Sequence, residues 1–188
     1  MTTNMDIRLA TRQDIPAIMG LEARNYLGNL DESERAGGFI STLHPVEWFT
    51  RAVDSTGVHV AISDDGAVQG FIVITTPPNP PEVDPSPIIR AMLELANTLQ
   101  YNGRPIAQQR FAFRGPVLVD RSARGHGLYS AFNAVTREAY RERFDVGVLF
   151  VAADNPRSLH TTTTKLGAQP LTLFEADGRQ YHFLAFTF

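Results

Sequence analysis

Apolar residues recur along this chain with two different periods. Alternating or continuous apolar runs predict strands at residues 7–10, 57–63, 68–75, 111–119, 146–153, 168–174 and 180–188. Apolar positions three or four residues apart predict helices between these strands, and examples begin after Thr11, at Pro45 and at Leu128. This mixture of strands and helices indicates an α+β (α/β) fold.

Composition narrows the class of protein. The chain has 188 residues, of which 43% are hydrophobic, so we expect one domain with a core of its own. No apolar run is long enough to cross a membrane, and the N-terminal segment lacks the apolar centre of a signal peptide, so we expect a cytoplasmic protein. Without cysteine there is no thiol catalysis or disulfide, and the five histidines lack ligand spacing, so we expect no metal site.

Charge is distributed unevenly along the chain. Residues 1–103 hold 6 arginines against 13 acids, whereas residues 104–143 hold 8 arginines against 3 acids, a local net charge of +5. Such a basic block favours an anionic partner, and the planar guanidinium suits phosphate. The total charge of −3 and the lack of interleaved basic and aromatic residues argue against nucleic acid.

The basic block contains a strand, a glycine loop and the start of a helix. Gly115-Pro116 interrupts the β-prone run 111–119 and predicts a bulge, because proline cannot donate to a sheet ladder. Two further glycines lie in the loop 121–127, directly before the helix that begins at Leu128. The first N–H groups of a helix have no partner within it and favour negative charge, so this arrangement predicts a site for phosphate or pyrophosphate.

The loop also carries a family resemblance. The segment Arg124-Gly125-His126-Gly127-Leu128-Tyr129 resembles the Q/R-x-x-G-x-G/A signature of the GCN5-related N-acetyltransferases, called GNAT enzymes. Tyr129 departs from it, since the signature has Gly or Ala there. The resemblance extends to the preceding strand, to the strand 148–155 and to the helix 155–167. It implies a three-layer α/β/α fold with a mixed central sheet of about seven strands, a bulge in the fourth strand, and one N-acetyltransferase domain over residues 1–188.

The resemblance implies a reaction and a cofactor. GNAT enzymes move an acetyl group from acetyl-CoA (coenzyme A) to an amine by direct attack in a ternary complex. The acceptor would be an amine of a small molecule or peptide that the sequence does not identify, and a homodimer is left open. The implied cofactor-binding residues lie on the bulged strand, the loop and the later helix: Val117, Leu118, Val119, Arg124, Gly125, His126, Gly127, Leu128, Tyr129, Asn155 and Ser158.

The catalytic residues are less defined by the resemblance. Family members often carry a tyrosine acid in a Y-x-K-L-G context. Counting back from Lys165-Leu166-Gly167 puts Thr163 there, whereas counting forward from Asn155 puts Thr162 there. His160 lies on the same predicted helix, and histidine exchanges protons near neutral pH. His160 and Thr163 are therefore the catalytic candidates. No acid lies within the bulged strand, and no base is assigned among the residues of earlier elements that could reach the cleft: Glu22, Glu47 and His59.

An additional segment at about 77–109 separates the third and fourth predicted strands. Its proline-rich beginning, 77–85, predicts a stiff extended linker. Ser86 and Pro87 then start a helix whose apolar stripe includes Ile88 and Met92, and this face must be buried as a lid or a dimer surface.

A second function is left open by three departures from the family: the later helix lacks the tyrosine acid, the bulged strand lacks a base, and Tyr129 replaces a small residue. The chain would then be a non-catalytic acyl-CoA-binding or assembly module on the same fold.

Overall fold

Six α-helices are present in the computed structural model, which describes residues 5–55, 57–77 and 85–188. Residues 78–84 of the predicted linker lie outside the described residues. The helices are α1 (Ile15–Arg24), α2 (Glu32–Arg35), α3 (Val46–Ser55), α4 (Pro87–Ala96), α5 (Leu128–Tyr140) and α6 (Pro156–Thr161), the last continuing as a π-helical turn, Thr162–Leu166. None of the helices in these ranges is long and apolar enough to span a bilayer.

Seven of the nine strands form one mixed sheet, which confirms the predicted fold class. The strands are β1 (Asp6–Leu9), β2 (Val58–Ile62), β3 (Val68–Thr75), β4 (Gln100–Tyr101), β5 (Arg104–Pro105), β6 (Phe111–Val119), β7 (Val146–Ala152), β8 (Gln169–Ala176) and β9 (Arg179–Thr187). The sheet order is β1-β2-β3-β6-β7-β9-β8, so β6 is its fourth strand. β6 pairs with β7 in parallel at Phe111–Phe113, whereas β7, β9 and β8 pair antiparallel.

The chain divides into two compact units. The first contains Met1–Thr75 and Arg114–Arg137, and the second contains Thr76–Phe113 and Glu138–Phe188. We describe each unit separately, and the expectation of one domain over residues 1–188 stays a prediction.

In the first unit, helices cover both faces of the strands. Phe71 and Val73 of β3 pack with Ile18 of α1 and Phe49 of α3 in one apolar cluster. Ile72, whose side chain points to the opposite face because strand residues alternate, packs in a second cluster with Phe132 of α5. A strand buried on both faces reads as a continuous apolar run, as Val68–Thr75 does.

The buried face of α5 includes polar residues. Phe132 is fully buried, Ala139 is exposed, and the buried face continues through Asn133 and Thr136. Asn133 accepts a hydrogen bond from Arg114, and Thr136 donates its hydroxyl to the carbonyl of Phe132 at 2.8 Å. These bonds satisfy the two polar side chains, which therefore remain stable in the core.

In the second unit, the inserted segment packs within its own unit. Helix α4 lies against β8, and its Ile88, Met92 and Ala96 are buried. The chain then forms the short hairpin β4–β5, which the sequence did not predict, and a 3₁₀ turn at Ile106–Gln108 before it enters β6. The lid and the dimer surface both stay open as further roles of this helix.

Candidate functional site

The predicted phosphate loop forms a two-glycine connection into α5. Asp120 begins it as a cap, since its Oδ1 accepts hydrogen bonds from the backbone N–H and the hydroxyl of Ser122 at 3.0 and 2.7 Å. Gly125 and Gly127 both have positive φ, +83° and +81°, and a Cβ built on either would meet nothing within 4 Å. Glycine is therefore required by the backbone conformation, and the space beside the loop is open.

A glycine, Gly127, occupies the cap position of the helix that follows this loop. The carbonyl of Gly127 accepts the N–H of Ala131 at 3.0 Å, so Gly127 occupies the position where Ser, Thr, Asp or Asn usually supplies an oxygen. Since glycine has no side chain, the N–H groups of the first turn depend on other acceptors. The start of α5 thus has the local geometry that binds anions in other proteins.

Arg124, predicted to bind the cofactor, also holds the loop in place. Its Nε donates to the carbonyl of Val119 at 3.1 Å, one Nη donates to the carbonyl of Gly37 at 3.1 Å, and the other donates to Oδ1 of Asn25 at 2.9 Å. Three of its donors therefore bind the protein itself. Its side chain fixes where the loop lies, and its contact with the cofactor stays a prediction.

Tyr129 is accommodated by a neighbouring arginine that the sequence analysis missed. The guanidinium carbon of Arg114, on β6, lies 5.2 Å from the centroid of the half-buried Tyr129 ring. Arg114 is 5% exposed, and one of its Nη atoms donates to Oδ1 of Asn133 at 3.0 Å. Its Nε is buried without a hydrogen-bond partner, and no carboxylate of the described residues lies within ion-pair distance of it. Such a buried donor costs about 1–3 kcal/mol, which the contact with the ring offsets in part.

Side chains of β6 change faces by one residue near Gly115-Pro116. Arg114 reaches Asn133 on α5, and Val117 packs into the cluster on the same α5 side. In a regular strand, residues three positions apart, such as Arg114 and Val117, have side chains on opposite faces. A bulge produces this kind of slip. The bulge itself stays a prediction, and it is supported by the position of Arg114 and Val117 on the same face of β6.

A buried carboxylate and a histidine form a pair beside β6. Glu22 of α1 is 1% exposed, its Oε1 lies 2.7 Å from Nδ1 of His44, and its Oε2 accepts the backbone N–H of His44 at 3.0 Å. The His44 ring stacks on Trp48, with centroids 4.0 Å apart and planes 29° apart. A Cβ built on Gly115 would lie 3.6 Å from Cη2 of Trp48, so Trp48, on which His44 stacks, borders the middle of β6.

The other early candidates for a base are placed less favourably. Glu47 is exposed on α3. His59 is 5% exposed within β2, and burial lowers the pKa of its imidazole. A buried histidine with a lowered pKa is a neutral core residue.

The second unit contains the remaining predicted site residues. Asn155 caps α6, and its Oδ1 accepts the backbone N–H of Ser158 at 3.2 Å, with Pro156 at the first helical position. His160 is exposed near the end of this helix. The hydroxyl of Thr163 donates to the carbonyl of Leu159 at 2.9 Å, within the π-helical turn. The structure tests neither catalytic assignment, and both stay predictions.

Comparison with known proteins rests on structure. No family model matches the sequence, and a search of curated proteins found no match. An acetyltransferase of the GNAT family from Listeria monocytogenes is 15% identical, has a TM-score of 0.63, and is matched over 100% of this chain and 99% of that chain. A chain of the NatC complex bound to Gag peptide and CoA is 12% identical, with a TM-score of 0.65 over 98% of this chain and 99% of that one. This chain has the GNAT fold.

A third match shows how varied the acceptors of the GNAT fold are. A spermidine/spermine N-acetyltransferase from Vibrio cholerae is 12% identical to this chain, has a TM-score of 0.57, and is matched over 98% of this chain and 95% of that chain. One neighbour thus acts on polyamines and another is bound to a peptide. The fold alone does not define the acceptor.

Proposed function

We propose that this protein is an N-acetyltransferase that uses acetyl-CoA, acting as one domain over residues 1–188. The observation that carries the proposal is the loop before α5, where Gly125 and Gly127 adopt positive φ beside open space and Gly127, which has no side chain, occupies the cap position of the helix. A diphosphate placed there would accept backbone N–H groups and meet the positive end of the helix dipole. The GNAT fold of the chain and the acetyltransferases that share it support the same function.

Residues of β6, of the glycine loop and of the start of α5 are proposed to hold the cofactor. Gly125, His126, Gly127, Leu128 and Tyr129 would contact the diphosphate. The strand residues 117–119 would present backbone groups to the acyl arm, and one of their N–H groups would stabilise the oxyanion formed on the thioester carbonyl.

Binding of acetyl-CoA tests the first half of the proposal. At about 100 times its Kd, a ligand that binds the native state adds about 2.7 kcal/mol of stability, which raises the Tm of a chain of this size by about 5–10 °C. Pantetheine lacks the diphosphate and is the matched control, for which we expect no shift. An equal shift with both compounds, or none with acetyl-CoA, would contradict the loop as the binding site.

Release of the CoA thiol tests the second half. We expect the protein with acetyl-CoA to release thiol when spermidine, a peptide with a free N-terminus, or a simple alkylamine is added. The second candidate, an acyl-CoA-binding module, is favoured by one observation: the hydroxyl of Thr163 donates to a backbone carbonyl, so it is engaged within the helix. Binding without thiol release from any amine would favour the module.

A further inference from the structure

The pair Glu22–His44 has the geometry of an oriented base. A carboxylate that is 1% exposed is costly unless both of its oxygens are bonded, and here both accept from His44. Since Glu22 is acceptor-only when ionised, Nδ1 of His44 must carry the hydrogen of their 2.7 Å contact. In the neutral imidazole, the lone pair is then on Nε2.

The basic nitrogen of this pair is accessible. Nε2 of His44 has no hydrogen-bond partner among residues 5–55, 57–77 and 85–188, and the His44 side chain keeps 20% of its surface exposed. The ring is held by the stack on Trp48, by the edge of Phe49 at 5.9 Å and by the backbone N–H bond to Glu22. An imidazole fixed on three sides with one nitrogen open is suited to accept a proton from a bound molecule.

We propose that Glu22 and His44 accept the proton of the acceptor amine, and that this acceptor is an aliphatic amine that arrives as an ammonium ion. The inference rests on the proposed acetyltransferase function. An alkylamine needs such a base because fewer than about one in a thousand of its molecules is neutral at pH 7. His44 stacks on Trp48, and Trp48 borders Gly115 of the strand proposed to hold the thioester. His44 is the catalytic residue, and Glu22 is the residue that positions it.

The proposed step is balanced. Nε2 takes one proton from the ammonium and becomes the N–H of an imidazolium, which the carboxylate of Glu22 stabilises. The neutral amine attacks the thioester carbonyl carbon, a C–N bond forms, and the C–S bond breaks. The departing thiolate takes the second proton from the new amide nitrogen, and the imidazolium returns its proton to water.

Two amines of similar shape separate this role from a structural one. Ethylamine is an ammonium ion at pH 7, whereas the fluorines of 2,2,2-trifluoroethylamine lower its basicity so that most of it is neutral. We expect His44→Gln to lower kcat/KM for ethylamine at least about 100-fold and for trifluoroethylamine by less than about threefold. His182→Gln, on β9, is the matched control and should change neither. The Tm shift given by acetyl-CoA should be the same in wild type and His44→Gln.

The outcomes distinguish this inference from the function on which it rests. Equal loss with both amines, or no loss with either, would overturn the role of His44 while the transferase remains. A loss in His160→Gln that His44→Gln lacks would assign the base to α6 instead. Transfer by wild type to neither amine, with acetyl-CoA still bound, would overturn the proposed acceptor class.

Glu22 is tested by a spectroscopic signature as well as by rate. Gln at position 22 has one carbonyl oxygen and one NH2 group, so it cannot accept both hydrogens that His44 now donates. In nitrogen-15 NMR spectra we expect wild-type His44 to be protonated at Nδ1 when neutral, and Glu22→Gln to lose this preference together with most of the ethylamine activity. An unchanged tautomer with unchanged activity in a folded Glu22→Gln protein would overturn the positioning role.

Discussion

Helices α5 and α6 differ in which groups are available to accept hydrogen bonds from the N–H groups of their first turns. Both helices follow a strand of the central sheet, and both have N–H groups in the first turn that need acceptors. At α6, Asn155 supplies its own oxygen to Ser158, and Pro156 has no N–H at all. At α5, Gly127 supplies no side chain and the space beside the glycines is open. The difference supports the proposal that a ligand, and not a side chain of Gly127, supplies the acceptors at the start of α5.

The largest expected effect comes from a charge placed in the open loop. Asp is tolerated at positive φ, so Gly125→Asp should fold and place a carboxylate beside the proposed diphosphate. Repulsion of about 1–2 kcal/mol would weaken acetyl-CoA binding by about 5- to 30-fold. Gly125→Asn has nearly the same shape without the charge and should change the Kd by less than about threefold. Calorimetric titration measures both, and equal Kd values for the two variants would contradict a diphosphate at this position.

A smaller effect is expected at the other helix start. Asn155→Ala removes the cap of α6 and should lower the free energy of unfolding by about 1 kcal/mol, whereas Asn155→Ser keeps an oxygen there and should lower it less. Denaturant unfolding measures this difference. If the comparison holds, the Kd for acetyl-CoA changes by less than about twofold in both. A tenfold loss in Asn155→Ala would show instead that α6 also contributes to the cofactor site, as the family resemblance implies.

The smallest effect concerns the cap that opens the loop. Burial acts to raise the pKa of Asp120, but hydrogen bonds from Ser122 and the charge of Arg24 outweigh it and hold that pKa below its ordinary value of 3.8. The stabilisation is therefore present above pH 3.8 and is lost as the pH falls through the lower, folded-state pKa. Asp120→Asn should cost about 0.5 kcal/mol at pH 7 and nothing at pH 2. Unfolding at both pH values tests this, and a difference independent of pH would contradict the ionic part of the cap.

Local signals allowed the sequence to predict helix and loop boundaries. A helical segment begins after Thr11 as expected, Ser86 and Asn155 cap the expected helices, and Gly167 ends the π-helical turn with φ +76°. Each of these depends on a few neighbouring residues. The hairpin β4–β5 was missed because strands of two residues show no alternation.

The pairs that build the candidate site were not predictable in this way. Glu22 and His44 are 22 residues apart, and packing of α1 against the segment before α3 brings them together. Arg114 and Asn133 are 19 residues apart, and a polar residue such as Asn133 gives no sequence signal of burial within a helix. One signal was visible, since Arg114 is a charged residue inside the otherwise apolar run 111–119.

The contact between Arg114 and Tyr129 has a consequence for which substitutions the two positions tolerate. A glycine or alanine at position 129 would leave the buried guanidinium without the ring that now covers it. We therefore expect the two positions to be exchanged jointly, with an apolar strand residue wherever a small residue stands at the helix start.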